Sequence, residues 1–312
     1  MQSISLYIPC FNVERHIALC LDAAGRQTCP TTEIIVVDDG STDDTVSVAS
    51  RYPVKIVKHG GNKGLAAARN TGIRSAAYDL VASLDADCVP KPDWLEKLAD
   101  CLKDDDVAGA GGRLLERNST RLPDRWRTFN MRQHWGDEPI TNPPFLFGNN
   151  TLFRKSALQQ AGLYNERLRT NFEDVAISET LKLQGHTLVY QPAAVVEHLR
   201  TDSLYSAIRA NWRWRFLGYR YDINLRNTIR GIRKDRVDEL RYFLSGDAAR
   251  RDVSCAALSL VAAGYAVAAD LKYLLRHNGE RKVHTSGIEG VLAQEALAAN
   301  RAGNKAEDFR GK

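Results

Sequence analysis

Asp79-Leu80-Val81-Ala82-Ser83-Leu84-Asp85-Ala86-Asp87 is a short apolar run closed by two carboxylates one residue apart. An uninterrupted apolar stretch of this length predicts a strand buried on both faces of a parallel sheet. In α/β sheets of that kind the chemistry sits at strand ends. The Asp-x-Asp spacing lets both side chains converge on one side of a turning backbone, where a hard divalent cation, Mg2+ or Mn2+, bridges carboxylates to phosphate oxygens. A phosphorylated substrate is the expectation that follows; the alternative is a surface turn that happens to hold two aspartates.

The flanking sequence alternates strand-like and helix-like runs, as a parallel sheet covered by helices requires. Strands are expected at Ile4–Ile8, Glu33–Val37, Val54–Val57 and Leu80–Leu84, and helices at Val13–Ala24, Asp43–Ser50, Leu65–Ser75 and Pro92–Leu102. Ser41 or Thr42 is the expected N-cap of the second helix. From Arg113 to Pro144 the pattern dissolves into Arg, Trp, Asn and Pro, which predicts a long loop with one helix crossing the front of the sheet. Periodicity returns at Leu146–Phe153, in a helix at Asp174–Gln184 and in a short strand at Thr187–Tyr190. Without a Gly/Ser linker or an internal repeat, one mixed α/β domain is expected over residues 1–199. A mostly helical region fills 200–312.

Composition is that of a soluble globular chain of 312 residues, and the start, Met1-Gln2-Ser3, runs into strand-like sequence without a leader pattern. A cytoplasmic location is expected. Cys10, Cys20, Cys29, Cys88, Cys101 and Cys255 form no Cys-x-x-Cys pair, so reduced structural thiols are expected rather than a zinc site or a disulfide framework. The net charge of +5 is uneven: residues 200–251 hold thirteen Lys or Arg against six Asp or Glu. Such a segment meets phosphates, acidic polymer or an anionic membrane face, or is a solvated helical face. Behind it Val253–Ala269 is seventeen residues without a charge, at the lower edge of a membrane span and rich in Ala, Ser and Gly. A buried or interfacial helix is expected there, either touching a membrane peripherally or forming a core or homodimer interface.

Two further stretches carry chemistry. In Val36-Val37-Asp38-Asp39-Gly40-Ser41-Thr42-Asp43-Asp44-Thr45, a carboxylate at a strand end can accept from a base N–H or a ribose hydroxyl, while Gly40 lets the backbone turn. A capped turn without ligand is the alternative. In Gly60-Gly61-Asn62-Lys63-Gly64-Leu65-Ala66-Ala67-Ala68-Arg69-Asn70-Thr71-Gly72, small residues let a helix approach the sheet, and the Arg69 guanidinium is suited to a diphosphate. Neither the dinucleotide fingerprint nor the P-loop is present.

In this order the chain resembles the family 2 glycosyltransferases, inverting enzymes of the GT-A fold that use nucleotide-activated sugars. The matching stretches are Ile8-Pro9-Cys10-Phe11-Asn12, the runs at 37–45 and 62–72, Asp85-Ala86-Asp87, Gly148-Asn149-Asn150-Thr151-Leu152-Phe153-Arg154 and Asn171-Phe172-Glu173-Asp174. The resemblance implies a Rossmann-like mixed sheet with flanking helices, its nucleotide-sugar half over about 1–112 and its acceptor half over about 113–199. It implies donor contacts from Pro9, Phe11, Asn12, Asp38, Asp39, Asn62, Arg69, Asp85, Ala86, Asp87, Asn149 and Asn150. Asp85, Asp87 and His198 are the implied ligands of a divalent cation. Asp174, with Glu173 beside it, is the implied base for the acceptor hydroxyl; an acidic helix start favoured by the dipole is the local alternative. Processive relatives carry Gln-x-x-Arg-Trp, of which this chain has Arg213-Trp214 but Ala210 in place of Gln. Arg213 and Trp214 are assigned to the acceptor or the diphosphate, and Trp212 and Trp214 are either sugar-stacking or core aromatics.

The expected activity is therefore metal-dependent, non-processive, inverting transfer from a nucleoside-diphosphate sugar, a UDP-sugar first, to a glycan, lipid-linked or protein acceptor. Nucleic acid is not an expected partner. A catalytically silent nucleotide-sugar-binding protein is the first rival, and a Rossmann-type oxidoreductase the second.

Overall fold

The computed structural model describes residues 3–169 and 171–282. Residues 283–312 of the expected C-terminal region lie outside them. Contacts divide the chain into two units, one of residues 1–117 and 133–200 and one of 118–132 and 201–312.

The first unit is built on strands β1 (Ile4–Cys10), β2 (Glu33–Asp38), β3 (Lys55–Lys58), β4 (Leu80–Leu84), β5 (Cys88–Pro90), β6 (Val107–Glu116), β7 (Ile140–Thr141), β8 (Asn150–Arg154) and β9 (Thr187–His198). Their order is β3-β2-β1-β4-β8-β6-β9-β5, with β7 also beside β9. The first four pair in parallel, β8 runs antiparallel to both β4 and β6, and β6 and β9 pair in parallel. Helices α1 (Ile17–Ala24), α2 (Thr45–Ala49) and α3 (Leu65–Ser75) follow β1, β2 and β3 in turn, and α4 (Trp94–Cys101) follows β5.

Burial of β1 on both faces shows why its residues are almost all apolar; the exception, Ser5, donates its hydroxyl to Glu33 Oε1 at 2.6 Å. Ile4, Leu6, Ile8 and Cys10 join a core with α1 and α4, while Tyr7 joins a second core with α3 on the other face. Because β2 and β4 flank β1, the chain leaves β1 toward one side and returns on the other. The crevice at the carboxyl ends of these three strands is the switch point at which such sheets hold ligands.

Three expectations need correction. The loop expected from Arg113 contains the last four residues of the ten-residue β6, whose glycines hide it. A Cβ on Gly109 would stand 2.2 Å from the Phe153 ring, so packing demands a residue that strand propensity disfavours. Helix α5 (Leu122–Asn130), also in that stretch, belongs to the second unit. The strand expected to stop at Tyr190 runs on to His198, because the register shift between Gly111 and Arg113 accommodates Pro192 in a bulge. Ser41 and Thr42 do not cap α2; Ser41 Oγ accepts from Asn12 N at 3.0 Å, and Thr42 N donates to Asn12 Oδ1 at 2.8 Å.

Helices α6 (Lys155–Gln160) and α7 (Glu173–Leu183) complete the first unit. The second contains α8 (Leu204–Trp214), α9 (Leu225–Gly231), α10 (Val237–Arg250) and α11 (Val253–His277), with a π-helical turn at Ile232–Arg236. Trp126, Phe243, Cys255, Leu258 and Ala262 form its core. Among the described residues α11 alone is long and apolar enough to cross a membrane. Its inward face is polar at Ser259, which accepts from Trp126 Nε1 at 2.8 Å, and at Asp270, which takes two bonds from Arg236. All six cysteines are free.

Candidate active site

The ends of β1 and β2 form one wall. Pro9 is within β1, Phe11 after it is 46% exposed, and Asn12 adopts φ +53°, a conformation that Asn tolerates. Asp38 Oδ1 accepts from Ser41 N at 3.1 Å. Asp39 is committed to the protein on both oxygens: Oδ1 meets Lys63 N at 2.8 Å and His59 Nδ1 at 2.7 Å, and Oδ2 accepts from Gly64 N at 2.8 Å. It braces the turn ahead of α3. His59, absent from the sequence assignment, is in turn fixed by Thr71 Oγ1 at 2.9 Å. Asn62 accepts from Arg169 through both its main-chain and side-chain oxygens.

Beneath that turn the buried Arg69 joins the two acidic motifs. Its Nη2 donates to Asp85 Oδ1 at 3.2 Å and its Nη1 to Glu173 Oε1 at 3.1 Å, while the guanidinium lies 5.6 Å from the Tyr164 ring centre. Glu173 and Asp174 open α7 directly after Phe172, a buried residue held at φ +69°, which is strained for a side chain of that size. That turn directs both carboxylates inward. Asp174 Oδ2 accepts from Gly148 N at 3.2 Å, and Oδ1 accepts from Val175 N at 2.9 Å.

Burial dominates the protonation of this pair. Burial, with Asp174 adjoining, lifts Glu173 to about 8 against the opposing pull of Arg69. Burial also raises Asp174, although Arg69 and the Gly148 and Val175 N–H groups oppose it. Two neighbouring carboxylates whose proton affinity burial raises are suited to proton transfer.

On the other side of the Asp-x-Asp turn, Asp87 Oδ2 faces His198 Nε2 at 3.1 Å. Burial would raise Asp87, but His198 and Arg200 bring it down to about 2. Burial would lower His198, but Asp87 and Glu116 raise it to about 9. Among the described residues no three His, Cys, Asp or Glu side chains converge closely enough to cage an ion unaided. The donor set nonetheless fits Mg2+ or Mn2+, which take one or two carboxylates and leave other positions to phosphates and water. Asp85 and Asp87 each keep 27% of their side chains exposed, so such a ligand can reach both. Ala86 between them is buried.

One assignment changes. Asn150 turns into the core, where its Oδ1 accepts from Trp94 Nε1, so it is not available to a sugar. Asn149 remains at the loop: its carbonyl accepts from Asp85 N at 3.3 Å, and its amide donates to Gln133. Arg213 and Trp214 end α8 in the second unit. Trp212 there is half-buried, donates to Asp270 Oδ1 at 2.8 Å and packs edge-on with Phe216, so its ring N–H is committed within the second unit.

A sheet with acidic strand ends, an arginine helix and a carboxylate pair opening a later helix defines a glycosyltransferase of the GT-A architecture. The chain belongs to glycosyl transferase family 2, whose model matches residues 5–162. It is 27% identical over 224 residues to a poly-beta-1,6-N-acetyl-D-glucosamine synthase of Staphylococcus epidermidis, and 28% identical over 226 residues to that of Staphylococcus aureus. These alignments cover 69% of this chain and 54% of each synthase, so the chain spans about half the length of the curated relatives it matches. Among solved structures it resembles the mannosyltransferase PcManGT from Pyrobaculum calidifontis in complex with GDP-Man and Mn2+, at TM-score 0.54 and 20% identity over 95% of this chain and 80% of that one. It also resembles S. aureus TarS 1-349 in complex with UDP, at TM-score 0.54 and 16% identity over 88% and 90%.

Proposed function

We propose that the chain is a divalent-cation-dependent, inverting and non-processive glycosyltransferase, moving one sugar from a UDP-sugar to an acceptor hydroxyl in cell-surface glycan, glycolipid or glycoprotein synthesis. The observation that carries this reading is the double bond pattern of Arg69, which links Asp85 of the donor motif to Glu173 of the base pair. Donor and base chemistry thus share one buried charge network. The poly-N-acetylglucosamine synthases among its relatives and the UDP bound to TarS support the choice of donor. Ala210, in place of the glutamine of processive relatives, supports single transfers.

Asp38 and the exposed Phe11 contact the nucleotide, and Asp39 shapes the wall behind it. Asp85, Asp87 and His198 would hold the cation; when bound, that ion would offset charge developing on the leaving diphosphate. Asp174 takes the proton of the acceptor hydroxyl as it attacks the anomeric carbon, and Glu173 stands beside it, paired with Arg69. A single in-line displacement inverts the configuration. Arg213 and Trp214 are assigned to the acceptor. The chain works in the cytoplasm, with its basic second unit against the inner face of the membrane.

Nucleotide release from UDP-, GDP- and dTDP-sugars, with Mn2+ or Mg2+, tests this. UDP release in the presence of the cation is expected, and Asp174→Asn should retain donor binding with turnover down roughly 10²-fold. Binding of UDP with Mn2+ but no turnover with any acceptor would favour the silent binding protein.

A further inference from the structure

His198 is held on both ring nitrogens, and its two partners differ in what can reach them. Nε2 stands 3.1 Å from Asp87, whose carboxylate is partly open to solvent. Nδ1 lies 3.1 and 3.0 Å from the two oxygens of Glu116, a side chain only 6% exposed. Glu116 closes β6 and is the register partner of His198 in the β6–β9 pair. The next residue, Arg117, donates its backbone N–H to the His198 carbonyl at 3.1 Å. Main chain and inner ring nitrogen are therefore fixed by the same strand end.

We propose that Glu116 is a positioning residue for the cation site: by accepting the Nδ1 proton it sets the His198 ring so that Nε2 is the nitrogen presented beside Asp87. The inference rests on the reading of Asp87 and His198 as cation ligands. An imidazole binds a cation through one nitrogen, and the hydrogen bond made by the other decides which one is presented. A ring released by Glu116 rotates and offers a carbon where the nitrogen stood. Glu116 is too deeply buried to meet a ligand itself, so it acts through the ring. A glutamine at position 116 keeps an acceptor oxygen of the same reach; an alanine keeps none.

Mn2+ binding in the presence of UDP, followed through the electron paramagnetic resonance signal of the free ion, tests the assignment in wild type, Glu116→Ala, Glu116→Gln, His198→Ala and the Glu116→Ala/His198→Ala double variant. Glu116→Ala should weaken Mn2+ binding roughly 10- to 100-fold, Glu116→Gln should recover most of that, and the loss should vanish in the His198→Ala background. An alanine variant with wild-type affinity, or an equal loss with and without His198, overturns the proposal. A wild-type chain that takes up no Mn2+ removes the cation reading instead. In that case, or if Glu116→Ala fails to fold, the ¹⁵N resonance of His198 Nδ1 at fixed pH decides. It should move on Glu116→Gln, and an unmoved resonance overturns the assignment.

Discussion

Gly148 is a glycine because of Arg69: a Cβ at position 148 would stand 1.7 Å from Arg69 Nη1. The same Gly148 donates its N–H to Asp174, so one backbone position touches both the arginine and the base. Gly148→Ala should push the guanidinium off Asp85 and Glu173, with turnover falling roughly 10²-fold, the scale of a displacement of about 1 Å at a reacting centre. Steady-state kinetics beside far-UV circular dichroism measures this. Wild-type turnover in Gly148→Ala would show that the close packing is not required.

Arg69→Met should destabilise the fold by about 3 kcal/mol, because it leaves Glu173 buried without its cation. The loss should be larger at pH 8.5 than at pH 6, since without Arg69 the carboxyl escapes charge by keeping its proton. Urea unfolding at the two pH values checks both magnitude and sign. Equal losses at both would mean that Glu173 is not the group left unpaired.

The pH profile follows from the raised Glu173–Asp174 pair. A base must be deprotonated to act, so turnover should rise with pH through a range above that of an ordinary aspartate, the direction in which burial moves Asp174. Glu173→Gln removes the neighbouring negative charge, so the ascending limb should shift to lower pH while the maximum rate stays measurable. Stability has the opposite dependence. A carboxyl raised on folding stabilises fully below its unfolded pKa and loses that contribution as pH climbs through the folded one, so Glu173→Gln should flatten the decline of stability between about pH 5 and pH 9. A limb that moved to higher pH would assign the titration to another group.

Much of the fold around this site was legible in local sequence. The run to Leu84 is a strand over the expected residues, and Leu65–Ser75 is a helix with both expected ends, because buried strands and alanine-rich helices declare themselves within a few residues. Features that depend on distant partners were not. β6 was lost to glycines needed by Phe153, Leu146 and Asn150, and the last eight residues of β9 were hidden by Pro192. Glu116 carried no signal, since only the β6–β9 register brings it to His198. Asn149 and Asn150 are alike in sequence, yet strand alternation turns the second into the core.

Asp87→Asn keeps side-chain volume and an acceptor oxygen for His198 Nε2 while removing one formal charge from the proposed cation site. Mn2+-dependent turnover should be abolished with the fold intact. Retention of wild-type turnover at limiting Mn2+ would displace the cation from Asp87.

The membrane contact turns on which basic residues are free to make it. Arg226, Arg230, Arg233 and Lys234 are exposed, and Leu225 (60% exposed), Ile229 and Val237 stand exposed beside them, so charge attraction and shallow apolar insertion can act from one segment. Arg236, counted with them in sequence, is buried: its Nε and Nη2 bond Asp270 at 2.8 and 3.1 Å, and its Nη1 bonds Glu239 at 2.9 Å. Replacing Arg236 would break a buried ion network rather than weaken a surface. The informative variant therefore changes only the four exposed residues to Gln. The wild-type chain should co-sediment with vesicles containing anionic lipid, and binding should weaken as salt shortens the screening length from about 10 Å at 0.1 M to about 3 Å at 1 M. The fourfold variant should remain in the supernatant with unchanged thermal unfolding. If wild type and variant sediment alike, or wild type ignores anionic lipid, the basic segment is a solvated face, and residues 253–269 are left as a core or interface helix.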